Sequence, residues 1–269
     1  MPVLIAQISD VHIGGPKAGS GERFSEAIEA INEMTQQPDL VLVTGDLTQS
    51  GTPDEWAEFG ERIAPLRAPW DALRGNHDRA LDVFVGHRSL DLDGRRVVLV
   101  DTSADEFTDA DAAWLDAELT AYASTPTVIA VHHPPFEIGI WWMDVVGLRG
   151  YELFEAVVRR HPQVRHVMSG HAHRPITTAW AGCVVTVCPS TSVAVAADLD
   201  PAHDPAETAE PPMIALHAYL ADTVVSHVVP VGTAAARSSI TSSAPNFVEW
   251  ARQQQASRPS AFGRREPQR

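Results

Sequence analysis

The chain has 269 residues, enough for one large domain or two small ones with a substantial core. Its apolar fraction of 44% is ordinary for a soluble globular protein. The formal net charge of −15 argues against a general nucleic-acid binder, which carries a basic face; a small anionic substrate stays open, because a local metal charge can dominate the field at a site.

In chain order, "PVLIAQIS" (2–9) is a short apolar run and predicts a buried strand. Asp10 cuts that run short and no basic region precedes it, so it does not have the form of a signal peptide. "SEAIEAINEM" (25–34) spaces its apolar residues as a helix, and "DLVLVTGD" (39–46) is a second strand. "PDEWAEFGERIAPL" (53–66) opens on Pro-Asp-Glu, a helix-start signature. "WDALRGNHD" (70–78) predicts a third strand running into a turn. "RRVVLVDTS" (95–103) predicts a fourth, paired with "SLDL" (89–92) across the hairpin signal Asp93-Gly94. A helix over "DADAAWLDAELTAY" (109–122) follows, then strands at "TPTVIAVHHPP" (125–135) and "VRHVMSGHAH" (164–173), with the helix "GYELFEAVVRRH" (150–161) between them. "FEIGIWWMD" (136–144) predicts a loop over the site.

Beyond residue 174 the pattern changes. "ITTAWAGCVVTVCPS" (176–190) and "MIALHAYLADTVVSHVVPV" (213–231) have the form of hairpins without helices, and 198–212 is a polar, proline-rich loop. Strands alternating with helices, then antiparallel ribbons, predict α/β layers with stacked sheets. Cys183 and Cys188 lie an odd number of residues apart, on opposite faces of one strand, which predicts unpaired thiols and a cytoplasmic protein. No stretch reaches the length of a membrane span. The sequence divides into a main domain, 1–232, and a C-terminal tail, 233–269. From Ala234 onward the tail holds six Arg and two Glu, and its "NFVEWARQQ" puts Phe247 and Trp250 on one side of a short helix. The expectation is a partly disordered tail with one docked turn, or an arm around a partner subunit.

Each apolar strand ends in residues able to bind metal. The ends are Asp10-Val11-His12, Gly45-Asp46, Gly75-Asn76-His77-Asp78, His132-His133 and Gly170-His171-Ala172-His173. Ligands bind at the C-terminal ends of strands in α/β sheets. Singly, each motif is an ordinary turn; five in sequence delivering carboxylate, amide and imidazole to one rim predict a metal site. No cysteine is among them, which excludes a structural thiolate site. The donor set suits Mn, Fe, Zn, Co or Ni rather than Ca or Mg. Seven candidate ligands exceed the needs of one ion, and two ions bridged by a shared carboxylate would use them all. Gly45, Gly75 and Gly170 allow tight turns at the same ends.

The order D-x-H, G-D, G-N-H-D, H, G-H-x-H resembles the calcineurin-like metallophosphoesterase family over roughly residues 1–230. "HHPP", Gly139 with Met143-Asp144, and "PST" (189–191) make it most similar to bacterial class III cyclic-nucleotide phosphodiesterases and the glycerophosphodiesterases allied to them. The resemblance implies a four-layer α/β/β/α sandwich of two mixed sheets flanked by helices. It implies one metal on Asp10, His12, Asp46 and His173, and another on Asp46, Asn76, His132 and His171, with Asp46 bridging and taking part in catalysis. It implies that His77, beside the Asn76 ligand, faces the substrate and stabilises the phosphoryl group or protonates the leaving oxygen. It also implies a homo-oligomer, a dimer or larger. One departure stands out. The family branch often carries a histidine just after the P-[GS]-T segment, where this chain reads "PSTSVAV" (189–195), so any imidazole contact from that loop is absent.

The expected function is hydrolysis of small phosphodiesters, such as cyclic nucleotides or glycerophosphodiesters, by in-line attack of a metal-activated water at two transition-metal ions (Fe, Mn, Zn or Co). Asn76, His77, Trp141 and Trp142 are the expected substrate contacts. The alternatives are a phosphomonoesterase or nuclease of the same family, or a non-catalytic interaction scaffold on the same fold. The acidic composition and the lack of a basic groove weigh against the nuclease, and the complete ligand set weighs against the scaffold.

Overall fold

The computed structural model describes residues 2–17, 19–220, 223–232 and 245–257. The strands are β1 (Val3–Ile8), β2 (Leu40–Thr44), β3 (Trp70–Leu73), β4 (Arg88–Leu92), β5 (Arg95–Val100), β6 (Thr127–Val131), β7 (Val164–Ser169), β8 (Ile176–Trp180), β9 (Cys183–Val187), β10 (Ala194–Val195), β11 (Glu207–Thr208), β12 (Met213–Tyr219) and β13 (Val224–Pro230). The helices are α1 (Ser20–Asn32), α2 (Pro53–Ile63), α3 (Asp109–Ala121), α4 (Trp141–Val145), α5 (Tyr151–Arg160) and α6 (Pro245–Ser257), and a 3-10 turn covers Asn76–Asp78.

Two mixed sheets form, in the orders β13-β12-β1-β2-β3 and β4-β5-β6-β7-β9-β8. The strand faces explain their assembly. In β1 and β2, Ile5, Leu40 and Leu42 meet Val97, Leu99, Val128 and Ala130 of the other sheet. The alternate residues Ala6, Ile8, Val41 and Val43 pack under Phe24, Ile28, Phe59 and Ile63 of α1 and α2. Val98, Val100, Ile129 and Val131 turn outward under Leu115, Leu119, Phe154 and Val157 of α3 and α5. Strands buried on both faces read as continuous apolar runs. The expected α/β/β/α sandwich is therefore the observed one, and both hairpin tips with described residues follow turn chemistry. Asp93-Gly94 and Ala181-Gly182 both have positive φ, as a two-residue type I′ turn requires. Thr52 and Glu55 satisfy each other's backbone N–H groups at the start of α2, and Thr108 and Asp111 do so at α3.

Two segments expected as loops carry structure. Residues 136–144 run into the short helix α4, where the Asp144 carboxylate accepts the N–H groups of Ile138 and Gly139 at 2.7 and 3.0 Å. The proline-rich stretch 198–212 contributes β11, which pairs with β10. Cys183 and Cys188 are buried and unpaired. No helix among the described residues is long and apolar enough to cross a membrane. Of the tail, residues 233–244 and 258–269 lie outside the described residues; α6 is a helix with Phe247 and Trp250 exposed.

A polar seam crosses the space between the sheets. Gln7 Nε2 donates to Thr44 Oγ1 and to the Ser169 carbonyl, so its Oε1 is the acceptor for His217 Nε2–H at 3.0 Å. In the neutral imidazole that burial favours, His217 Nδ1 then accepts from the Ser226 hydroxyl at 2.8 Å. Burial pushes His217 down to about 3 and holds His166 well below its usual range. The unfolded chain binds these protons below about 6.5 and the native state does not, so stability falls as pH drops from there towards about 3. Between pH 7 and 5 His217 costs about 2 kcal/mol. His217→Gln should lose about 2 kcal/mol less than the wild type over that window in urea unfolding; identical losses would contradict the neutral assignment.

Candidate metal centre

The parallel strands β1, β2 and β3 of one sheet, and β6 and β7 of the other, end at one rim. Just past those ends the chain places Asp10, His12, Asp46, Asn76, His77, His132, His171 and His173. Asp10, His12, Asp46 and His173 form one group whose candidate donor atoms all lie within 4.8 Å of one another. His132, His133 and His171 form a second such group. Asp46 stands between them, with Oδ2 3.5 Å from His12 Nε2 and 3.4 Å from His132 Nε2.

The rings are aimed by their far nitrogens. A carbonyl oxygen can only accept, so the nitrogen facing it carries the proton. His132 Nδ1–H donates to Thr44 O at 2.8 Å, and His173 Nδ1–H donates to Val193 O at 2.8 Å. His12 Nδ1–H donates to the side-chain oxygen of Gln49 at 3.1 Å. Each of these rings therefore turns Nε2 inward. His12 Nε2 and His173 Nε2 face each other at 3.1 Å. Near Asp46 and the second group, four buried atoms have no hydrogen-bond partner: Asn76 Oδ1, His132 Nε2, His133 Nε2 and His171 Nε2. Lone pairs converging without donors are what a cation would satisfy, and the donor set fits a transition metal on each side.

Electrostatics follow from burial. Desolvation pushes His12 down to about 3 and His171 well below its usual range, so both offer neutral nitrogens. Burial alone would raise Asp46, but His132 and His12 outweigh it and hold the carboxylate well below its ordinary range. Burial raises Asp10, against the pull of His173. Asp46 and Asp10 raise His132 in spite of its burial, so a metal there would compete with a proton.

Five of the seven candidate ligands hold the left-handed backbone that side chains avoid: Asp10, His12, Asp46, His171 and His173 have φ between 51° and 67°. Two close approaches require glycine. A Cβ on Gly75 would overlap the Asp46 carboxylate, and one on Gly170 would overlap Ser9 Oγ. Asp78 ties two of the strand ends together, accepting from Leu47 N, Thr48 N, Thr48 Oγ1 and Gly75 N at 2.8–3.0 Å.

The cleft above this rim has a volume of about 340 Å³. Its floor is the imidazole and carboxylate cluster, and one wall is Trp142, Met143, Val146, Val193 and Val195. Trp141 lies outside the lining; it is exposed, with Nε1 donating to His203 O at 3.3 Å. His77 lines the cleft, its Nδ1–H donating to Gln49 O at 2.7 Å and its backbone N–H to Asp46 Oδ1 at 3.0 Å. Motif reading did not single out Gln49, Lys17, Glu207 or Asp105. Thr102 Oγ1 lies 2.9 Å from His133 Nδ1, and His133 Nε2, which makes no hydrogen bond, faces the Asp105 carboxylate at 3.2 Å.

Residues 3–175 match the family model for the calcineurin-like phosphoesterases. The chain belongs to that family. A probable glycerophosphodiester phosphodiesterase from Arcobacter nitrofigilis is 31% identical over 240 residues, covering 80% of this chain and 88% of the relative. The 3',5'-cyclic adenosine monophosphate phosphodiesterase of Escherichia coli K12 is 28% identical, covering 71% and 77%. Among solved structures, a dimetal phosphatase from Danio rerio has a TM-score of 0.65 at 13% identity, covering 85% and 96%. A Plasmodium protein described as the anchor in the inner membrane complex has a TM-score of 0.56 at 11% identity, covering 99% and 98%. Such distant likenesses show the fold alone, so the side chains at the rim have to carry the argument about chemistry.

The close approach at Gly170 makes a prediction. Gly170→Ala should lower stability by about 1–3 kcal/mol through overpacking, read by chemical denaturation of the metal-free protein; unchanged stability would contradict the packing described.

Proposed function

We propose that this member of the family is a metal-dependent phosphodiesterase that hydrolyses small phosphodiesters, of the cyclic-nucleotide or glycerophosphodiester kind. The observation that carries the reading is the ring of unpartnered buried atoms, Asn76 Oδ1, His132 Nε2 and His171 Nε2, facing the Asp10–His12–His173 group across Asp46. In this reading Asp10, His12, Asp46 and His173 would hold one ion, and Asp46, Asn76, His132 and His171 the other. His132 rather than His133 is assigned because its Nε2 faces the Asp46 carboxylate at 3.4 Å, whereas His133 Nε2 faces Asp105, outside the cluster, at 3.2 Å. Mn, Fe, Zn or Co fits the mixed nitrogen and oxygen donors. Two such ions, when bound, acidify water for in-line attack and clamp the phosphoryl oxygens.

The chain's own groups do the rest. Gln49 fixes the His12 ring, and its backbone carbonyl holds the Nδ1–H of His77. That leaves His77 Nε2 on the cleft side, where in the imidazolium form the second proton, on Nε2, can pass to the leaving oxygen. The small cleft and its apolar wall, with Trp142 in it, support a small organic ester rather than a polymer. Residues 1–232 are taken as the catalytic unit and 233–269 as an appended tail. The exposed Phe247 and Trp250 of α6 support a homo-oligomer, and the unpaired buried cysteines support a cytoplasmic setting.

Hydrolysis of bis(p-nitrophenyl) phosphate by the purified protein with added Mn²⁺ tests the reading; no turnover with Mn, Fe, Zn or Co contradicts it. His77 gives the finer test. A general acid matters most when the leaving oxygen is basic, and its help is typically worth ~10²–10⁴-fold. His77→Ala should cut kcat by about that range for an alkyl diester and by only about 10-fold for the nitrophenyl diester. Equal losses on both would leave His77 as an electrostatic stabiliser instead.

A further inference from the structure

Lys17 is the only lysine in the chain; the other 19 of its 20 Lys and Arg residues are arginines. The fold brings it to the mouth of the cleft, where it is the one Lys or Arg among the described lining residues. Its ammonium pairs with the carboxylate of Glu207, which reaches the same mouth from β11. Lys17 belongs to the segment that follows His12, so the pair joins two separate walls of the cleft.

The β10–β11 ribbon, in which Val195 pairs with Glu207, is held by both half-buried and exposed contacts. Val193 O accepts from His173, and Arg174 Nη1 donates to Val195 O at 2.5 Å and pairs with Glu210 at 2.8 Å. The more exposed contact is Lys17–Glu207, whose side chains are 58% and 43% exposed. Exposed pairs of this kind contribute little to stability. A charge at the mouth of a cleft still acts on an anion inside it, and acts about twice as strongly on a dianion as on a monoanion. Near neutral pH a phosphodiester carries one negative charge and a phosphomonoester close to two. The intact pair adds no net charge at the mouth. Losing either partner leaves a full charge of one sign there.

Resting on the phosphodiesterase reading above, we propose that Lys17 and Glu207 form a charge-balanced gate that keeps the mouth free of net charge and so withholds from dianionic monoesters the advantage over monoanionic diesters that an unpaired Lys17 would give them. Lys17 acts as a compact point charge kept in check by Glu207. Neither residue contacts the reacting atoms, so the gate acts on substrate capture and appears in KM rather than kcat.

The test compares bis(p-nitrophenyl) phosphate with p-nitrophenyl phosphate at low salt. Glu207→Gln should raise kcat/KM for the monoester relative to the diester by ~3–10-fold, and Lys17→Gln should lower that ratio by a similar factor. The exchanged pair, Lys17→Glu with Glu207→Lys, should return the ratio to within about 2-fold of wild type, and added salt should shrink every difference. Single variants that leave the ratio unmoved, or move it in the same direction, overturn the gate. A measurement independent of turnover uses the single lysine. A water-soluble carbodiimide joins Lys17 Nζ to the carboxyl carbon of Glu207 as an amide, the lost oxygen leaving in the urea by-product. Mass spectrometry should find the Lys17–Glu207 isopeptide in the wild type and none in Glu207→Gln. A bond from Lys17 to a different carboxylate, or no bond, also overturns the gate. A wild type that hydrolyses neither ester overturns the phosphodiesterase reading itself; a wild type that hydrolyses the diester with ratios unmoved by the variants overturns the gate alone.

Discussion

A single buried carboxylate serves two groups of donors, and the rest of the rim is arranged to make that sharing possible. Asp46 approaches His12 and His132 within 3.5 Å from opposite sides and also accepts the backbone N–H of His77. It reaches that position because β2 lies between β1 and β3, all parallel, so its end is the central one of three. Gly45 and Asp46 both turn through positive φ immediately after the strand. The second sheet, stacked face to face, then brings the ends of β6 and β7 over the same point.

That convergence is costly. A side chain in the left-handed region costs roughly 1–3 kcal/mol, and five of the seven candidate ligands are there. Buried nitrogens and an amide oxygen without partners add to the cost. The opposing contributions come from elsewhere in the molecule. Three apolar layers hold the sheets and helices in place, and the carboxylate of Asp78 fastens the β2 and β3 ends to each other. A rigid scaffold carrying strained, under-bonded polar groups at one rim is the usual arrangement of a site shaped for a ligand rather than for stability.

Much of this was legible in the sequence, for physical reasons. Strands buried on both faces appear as uninterrupted apolar runs, so Asp10, Asp46, His132 and His171 stand out where those runs stop. Helix starts at Thr52 and Thr108 and the Asp93-Gly94 turn are local and carry local signatures. Features that depend on tertiary closure were not legible. Gln49 lies 37 positions from His12 and 28 from His77, and no spacing rule connects them. Glu207 lies in a stretch with no period at all, and its meeting with Lys17 follows only from how the β10–β11 ribbon folds back. Adjacent tryptophans could not be told apart by pattern. Only the α4 turn separates Trp142, in the cleft wall, from Trp141, outside it. The choice between His132 and His133 needed the carboxylate that each Nε2 faces, Asp46 for one and Asp105 for the other, which is a fact about neighbours rather than about sequence.

The central claim is that two ions share Asp46. An anomalous difference map from crystals grown with Mn²⁺, collected above the metal edge, measures it directly. The account predicts two peaks about 3.5–4 Å apart, the usual spacing of a two-metal phosphoester site, one on each side of the Asp46 carboxylate and both within bonding distance of it. A single peak, or a second peak that does not touch Asp46, would contradict it.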